Sequence, residues 1–112
     1  MKISNNNINK LIIDSIAPYQ LTDLKELETI YDKRQSFYKK AYIGRYTFMN
    51  GETAIYLKSY STIVACIYDE ELRIYGAFSQ TTARHIREFA KQNGFNDIIS
   101  YQDMKNKSVF SK

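Results

Sequence analysis

His85 is the chain's single histidine, so any imidazole chemistry must run through it. On a helix it would have Thr81, Thr82, Glu88 and Phe89 as neighbours, giving hydroxyls three or four residues back and a carboxylate three residues on to orient the ring. A nucleophilic site needs more than that. No second histidine accompanies it, Cys66 lies in a separate apolar run, and no serine sits on a nucleophile elbow. His85 therefore reads as a structural residue that bonds to the sheet or caps the Ser79–Thr82 turn. One imidazole with one carboxylate leaves a tetrahedral metal shell incomplete.

The other chemistries are weaker still. Asp69, Glu70 and Glu71, taken with Asp14, Asp32 and Glu52, are the only candidates for a divalent-cation site. Three successive acids in a short turn point in different directions and stay solvated, so no metal is expected. Gly44, Gly51, Gly76 and Gly94 are dispersed, which excludes a phosphate-cradling loop, and no cofactor is expected.

The basic residues are better organised. Arg84, Arg87 and Lys91 follow at steps of three and four and share one helix face. A second cluster, Lys33, Arg34, Lys39 and Lys40, surrounds Ser36-Phe37-Tyr38, and Tyr38, Tyr42 and Tyr46 would line one strand face beside it. Cations interleaved with rings suit single-stranded nucleic acid, which offers phosphates and stacking bases. The plainer reading of the helix is a solvated face with Glu88 paired back to Arg84. Lys39, Lys40, Tyr42, Arg45, Tyr46, Arg84, Arg87 and Lys91 are the candidate contacts to a partner or to RNA or single-stranded DNA.

These residues must be held by one domain, since 112 residues suffice for a single core without disulfides or metals. Ten tyrosines and six phenylalanines stand out against a net charge of +4, which is mildly basic. Tyrosine suits a binding surface that is wet when free, and it also lines sheets. Met1–Lys10 is polar and Asn-rich, unlike a signal peptide, and no apolar run approaches membrane-spanning length. Cys66, alone within Ile63–Tyr68, reads as a buried inert thiol in a reducing, intracellular setting.

The element pattern starts with a loose polar segment, 1–7, then Ile8–Ile16, whose isoleucines suit a short helix or a strand ended by Pro18. Thr22 as N-cap, acids at Asp23 and Glu26, and Leu24, Leu27 and Tyr31 on one face predict a helix from Asp23 to about Lys33. Four strands follow: Tyr38–Met49, Ala54–Tyr60, Thr62–Tyr68 and Leu72–Phe78. Asn50-Gly51 predicts a hairpin with both central residues at positive φ. One sheet face is expected to be packed and the other to carry Arg45, Lys58, Arg73 and several tyrosines. A helix over Gln80–Asn93 should start at the Ser79 cap and end at a left-handed Gly94, with Phe95 folding back. The tail could add an edge strand or a short helix, with 106–112 frayed. The expected fold is α+β: an antiparallel meander of about four strands with an N-terminal helix and a later helix on one face.

From Ser36 to Phe95 the chain resembles a family of small uncharacterised proteins from phages and mobile elements of Gram-positive bacteria. The shared pattern is S-F-Y-x-K-A, then L-x-S-Y-x-T-x-V-A, then Y-S-x-T-T-x-x-H-I-x-x-F. Here it falls on Ser36-Phe37-Tyr38 with Lys40-Ala41, on Leu57–Ala65, and on Ser79, Thr81-Thr82, His85-Ile86 and Phe89. Phe78 departs from it, since a tyrosine is usual there, and the first thirty-five residues lie outside it. Read physically, Ser59, Thr62, Ser79, Thr82 and His85 form a polar seam joining sheet to helix without catalysis.

With the tyrosine-rich composition, the resemblance implies a non-enzymatic inhibitor of a host defence complex, in the manner of anti-CRISPR proteins. Its partner would be a host protein or ribonucleoprotein such as a Cas effector, met in the cytoplasm of the bacterial host. The alternative is a nucleic-acid-binding accessory protein, and a homodimer through an edge strand is also open.

Overall fold

A computed structural model describes residues 5–76, 79–97 and 99–112. The chain opens with helix α1, Asn5–Ile12, and two single 3-10 turns, Ile13–Ser15 and Pro18–Gln20. Pro18 sits at the start of its turn, where a missing N–H costs nothing. Strands β1 (Thr22–Glu26), β2 (Ala41–Thr47), β3 (Thr53–Ser59), β4 (Thr62–Tyr68) and β5 (Glu71–Ile74) follow. Helices α2 (Gln80–Gln92) and α3 (Tyr101–Asn106) precede the last strand, β6 (Val109–Ser111). The fold is α+β, with every strand antiparallel to its neighbour in the order β1-β2-β3-β4-β5-β6. The sheet has six strands, not about four.

The two extra strands come from segments read otherwise in the sequence. The helix predicted from Asp23 is instead β1 followed by an irregular loop. Lys25 and Glu26 pair with Ile43 and Tyr42, and Asp23 takes φ 56° at a register shift that no helix allows. Leu24, Leu27 and Tyr31 do have helical spacing, yet only Leu27 is buried. Long-range pairing decides this segment against its local pattern. The tail forms both a helix and an edge strand, and 106–112, expected to fray, holds β6.

The strongest local signals hold. Ser79 Oγ accepts the Thr82 N–H at 3.1 Å to start α2. Gly94 takes φ 90° after its end, and Phe95 folds back, with its N–H on the Ala90 carbonyl at 3.0 Å. The β2–β3 hairpin turns where Asn50-Gly51 stands, but only Gly51 has positive φ. Its N–H bonds the Phe48 carbonyl at 2.9 Å while Phe48 N–H reaches the Glu52 carbonyl at 2.8 Å. The loop is therefore longer than the predicted two-residue turn. The predicted end of the fourth strand, residues 77 and 78, and residues 1–4 of the segment 1–7 expected to be loose lie outside the described residues, while residues 5–7 open α1.

Both sheet faces are packed, which corrects the expectation of one covered face. On one side Leu57, Ala65 and Leu72 meet Ala83, Ile86 and Phe89 of α2. On the other, Tyr56, Cys66 and Tyr68 are covered by Ile13 and Leu21 from the N-terminal segment. The helices thus flank the sheet instead of sharing one face. Lys58 and Arg73 lie half-buried on the second side, while Arg45 pairs in register with Ile55 on the α2 side. In β4, Leu57 pairs with Ala65 and Lys58 with Ile63, so Val64 is passed over. That bulge turns Val64 and Ala65 together into the α2 core and leaves Ile63 against the other.

Candidate binding surface

The polar seam is built around a buried ring. His85 is 1% exposed, and its Nδ1 is hydrogen-bonded to Ser59 Oγ at 2.8 Å. Thr82 Oγ1 lies 3.5 Å from the same hydroxyl and accepts from Ser79 Oγ at 3.3 Å. The ring meets Phe37 edge-on at 4.5 Å and Tyr60 at 6.2 Å between centroids. Nε2 has no hydrogen-bond partner among the described residues. Burial pushes the His85 pKa down to about 4; Arg34 and Lys40 push the same way, and Asp32 opposes them. Ser59, Ser79, Thr82 and His85 are thus brought together, while Thr62 is exposed and stands outside the network.

A serine against an imidazole looks like an activated nucleophile, but both side chains are buried and, among the described residues, no carboxylate hydrogen-bonds the ring. Glu88, read as a partner for His85 or Arg84, serves neither. It is 2% exposed, and its carboxylate accepts the N–H groups of Tyr31 (2.9 Å) and Asp32 (2.7 Å) and the Gln92 side chain (2.7 Å). Arg84 turns instead to Asp32, at 3.2 Å. The loop after β1 needs a buried acceptor for its backbone donors, and Glu88 is the acid that α2 presents to it.

The remaining candidate carboxylates other than the exposed Glu70 have their own partners. Asp69 and Glu71 meet Lys10, Asp14 meets Arg73, and Glu52 accepts from Asn9 and Tyr68. Among the described residues no three His, Cys, Asp or Glu converge as a metal site would require. Cys66 is buried, and burial pushes its thiol pKa up to about 12.

One end of the sheet has a different character. Phe37–Lys40 is a tight turn closed by Lys40 N–H on the Phe37 carbonyl at 3.0 Å, with Tyr38 at φ 52° and Lys39 at φ 61°. The β3–β4 turn lies beside it. Tyr60 has φ 58°, and its N–H bonds the Lys40 carbonyl at 2.7 Å. Tyr38 is 71% exposed and Tyr60 52%. Lys40 Nζ stands 5.8 Å from the Tyr60 ring centre, and Lys58 Nζ 6.0 Å from that of Tyr42. Among the described residues the ion-paired cations are Lys10, Arg73 and Arg84, so Lys39, Lys40 and Lys58 have no ion-pair partner, although the Glu26 carboxylate lies close by and accepts the Lys39 N–H at 2.9 Å.

The predicted contact residues divide between separate places. Lys39, Lys40 and Tyr42 lie at this end. Tyr46 shares Tyr42's face but packs on Phe48 at 5.2 Å, at the far end of β2. Arg45 is on the opposite face, Arg84 is tied to Asp32, and Arg87 and Lys91 lie further along α2. Tyr60 and Lys58 were missed because the strands were read singly; pairing Ala41 with Ser59 is what brings the two turns together. Tyr38, expected on a strand face with Tyr42, is in the turn instead.

A family model matches residues 25–106. The chain belongs to DUF8033, a family of unknown function. The matched span takes in the whole of the Ser36–Phe95 stretch and carries no activity to transfer. No significant match exists to a curated protein or to a solved structure. No helix among the described residues is long and apolar enough to cross a membrane.

Proposed function

We propose that this chain is a small non-enzymatic binding protein whose working surface is the basic, tyrosine-bearing end of the sheet. The observation that carries the reading is the pair Tyr38 and Tyr60. Both are exposed and both hold left-handed backbone angles that bulky residues rarely adopt. Strain of this kind costs roughly 1–3 kcal/mol per residue and gathers at functional surfaces. Exposed tyrosines with neighbouring cations make good anchors for a partner surface. Combined with the resemblance to mobile-element proteins, the surface fits a stoichiometric inhibitor of a host defence complex, held in the host cytoplasm against a protein or ribonucleoprotein. A second reading, direct binding of RNA or single-stranded DNA, is favoured by Lys40 over the Tyr60 ring, Lys58 over the Tyr42 ring and the neighbouring Lys39, none of them ion-paired.

The test is affinity capture from a bacterial host lysate, with and without nuclease, using the wild-type chain and Tyr38→Asn with Tyr60→Asn. Asparagine tolerates the left-handed angles, so both turns should keep their backbone, and the melting temperature of the variant reports what the loss of the Tyr60 ring beside His85 costs. Retention of one stoichiometric protein or ribonucleoprotein after nuclease, lost in the variant, is the expected result. Material that vanishes with nuclease and weakens with salt, at a log–log slope of about −2 for three phosphate contacts, moves the second reading into first place. Capture untouched by the double substitution overturns the assignment of this surface.

A further inference from the structure

Helix α1 turns a polar side chain inward and an apolar stripe outward, the reverse of a helix that covers a sheet and faces water. Asn9 is 4% exposed, while Ile8, Leu11 and Ile12, which share one helix face, are 47%, 83% and 39% exposed. The buried amide holds that orientation. Its Nδ2 donates to the Tyr68 hydroxyl at 2.8 Å and to Glu52 at 3.1 Å, and Lys10 Nζ reaches Asp69 at 3.2 Å. Ile13, fully buried just past the end of α1, fixes the same rotation. The helix thus lies against both the β2–β3 and the β4–β5 turns, at the end of the sheet opposite Tyr38 and Tyr60. Met49, fully exposed, stands in the first of these turns. An apolar stripe held open to water marks an interaction site, as scattered exposed side chains do not.

The charge around the stripe selects the partner. Lys10 is paired with Asp69 and Glu71, and Arg73 with Asp14 and Glu71. Glu52 keeps its full charge, because its donors Asn9, Asn50 and Tyr68 are neutral. Glu70, exposed between Asp69 and Glu71, has no ion-pair partner among the described residues. Lys112 bonds the Glu70 carbonyl through its backbone, but its ammonium lies over the Phe95 ring, on the α2 side of the sheet. Acids are therefore in excess around α1, the opposite of the tyrosine-bearing end. A surface of this sign repels phosphates and anionic lipid and attracts Lys and Arg. Apolar anchors at helical spacing suit a second helix laid along the first.

We propose that the outer face of α1 docks a basic amphipathic helix of a partner protein, with its apolar side on Ile8, Leu11 and Ile12 and its cations toward Glu52 and Glu70. This surface is separate from the one assigned above and does not rest on it.

The probe is a capped, fluorescein-labelled peptide of about 14 residues, long enough for a helix, with leucines at helical spacing and lysines elsewhere. Its binding is read by anisotropy against a scrambled peptide of the same composition and one with glutamates for the lysines. The first peptide is expected to bind saturably, and the other two at least about tenfold more weakly. Leu11→Ser should weaken binding about tenfold, the loss of one buried leucine contact, and Glu70→Lys about threefold with a shallower salt dependence. Both positions are exposed, so both variants should unfold close to the wild-type temperature. The Tyr38→Asn, Tyr60→Asn protein should bind the peptide as wild type does, which separates this surface from the tyrosine-bearing one. The proposal fails if the peptide does not bind, if the scrambled peptide binds as well, or if Leu11→Ser changes nothing. It also fails if wild type self-associates in sedimentation and Leu11→Ser does not, since a second copy would then cover the stripe.

Discussion

His85 sits where a proton is costly. Its ring is sealed between Ser59, Phe37 and Tyr60, with Arg34 and Lys40 near enough to disfavour a further positive charge. Burial holds the folded-state pKa near 4 against an ordinary value of 6.5. Between those values the unfolded chain takes up a proton that the native chain refuses. Stability is therefore complete above about pH 6.5 and is lost as pH falls toward 4, by an amount on the order of 3 kcal/mol. Urea denaturation of wild type and His85→Gln across this window checks it. Glutamine can keep a bond to Ser59 but does not titrate, so the difference between the two curves should slope only between those two pKa values. Parallel curves would mean that the ring is not held neutral by its surroundings. The sequence placed His85 in a seam with Ser59, Ser79 and Thr82 because helical spacing and strand ends are local features. It did not reveal that the ring is dry, since that depends on Phe37 arriving from a turn nearly fifty positions earlier.

At the scale of elements, what could be read was what neighbours in sequence decide. The α2 helix carried its own cap, apolar stripe and left-handed stop, and each appears in place. The β1 strand carried a misleading periodicity, and only its partner β2 resolves it. Several tyrosines are expected from sequence on a solvated face, yet Tyr56 and Tyr68 are core residues whose hydroxyls are spent inward, on the Ile13 carbonyl at 2.7 Å and on Glu52 at 2.9 Å. The loop after β1 depends most on a residue misassigned from sequence. Glu88 alone satisfies two of its backbone donors. Glu88→Ala should cost on the order of 2 kcal/mol, because the partly buried donors lose an acceptor that the small side chain cannot replace. Amide exchange should accelerate at Tyr31 and Asp32 well beyond the global change. Uniform acceleration across the chain would show that the carboxylate does not specifically hold this loop.

Across the whole molecule, one sheet serves two cores, and neither half of the chain can be removed without uncovering the other's floor. The N-terminal segment is the lighter cover. Ile13 is fully buried against Tyr56 and Cys66, and the ion pairs from Lys10 and Asp14 that accompany it are partly exposed and contribute little. Ile13 packing therefore carries this side, and Ile13→Ala should cost about 2–4 kcal/mol. The loss should not stay local. Strand β3 alternates Tyr56 into one core and Leu57 into the other, so loosening one face frees the strand that anchors the second. Native-state exchange should report nearly equal losses of protection at Tyr56 and at Ile86, with unfolding remaining a single transition by tyrosine fluorescence and far-ultraviolet dichroism. Loss confined to the N-terminal segment, with α2 unaffected, would instead make the two cores separate folding units that share a sheet only by contact.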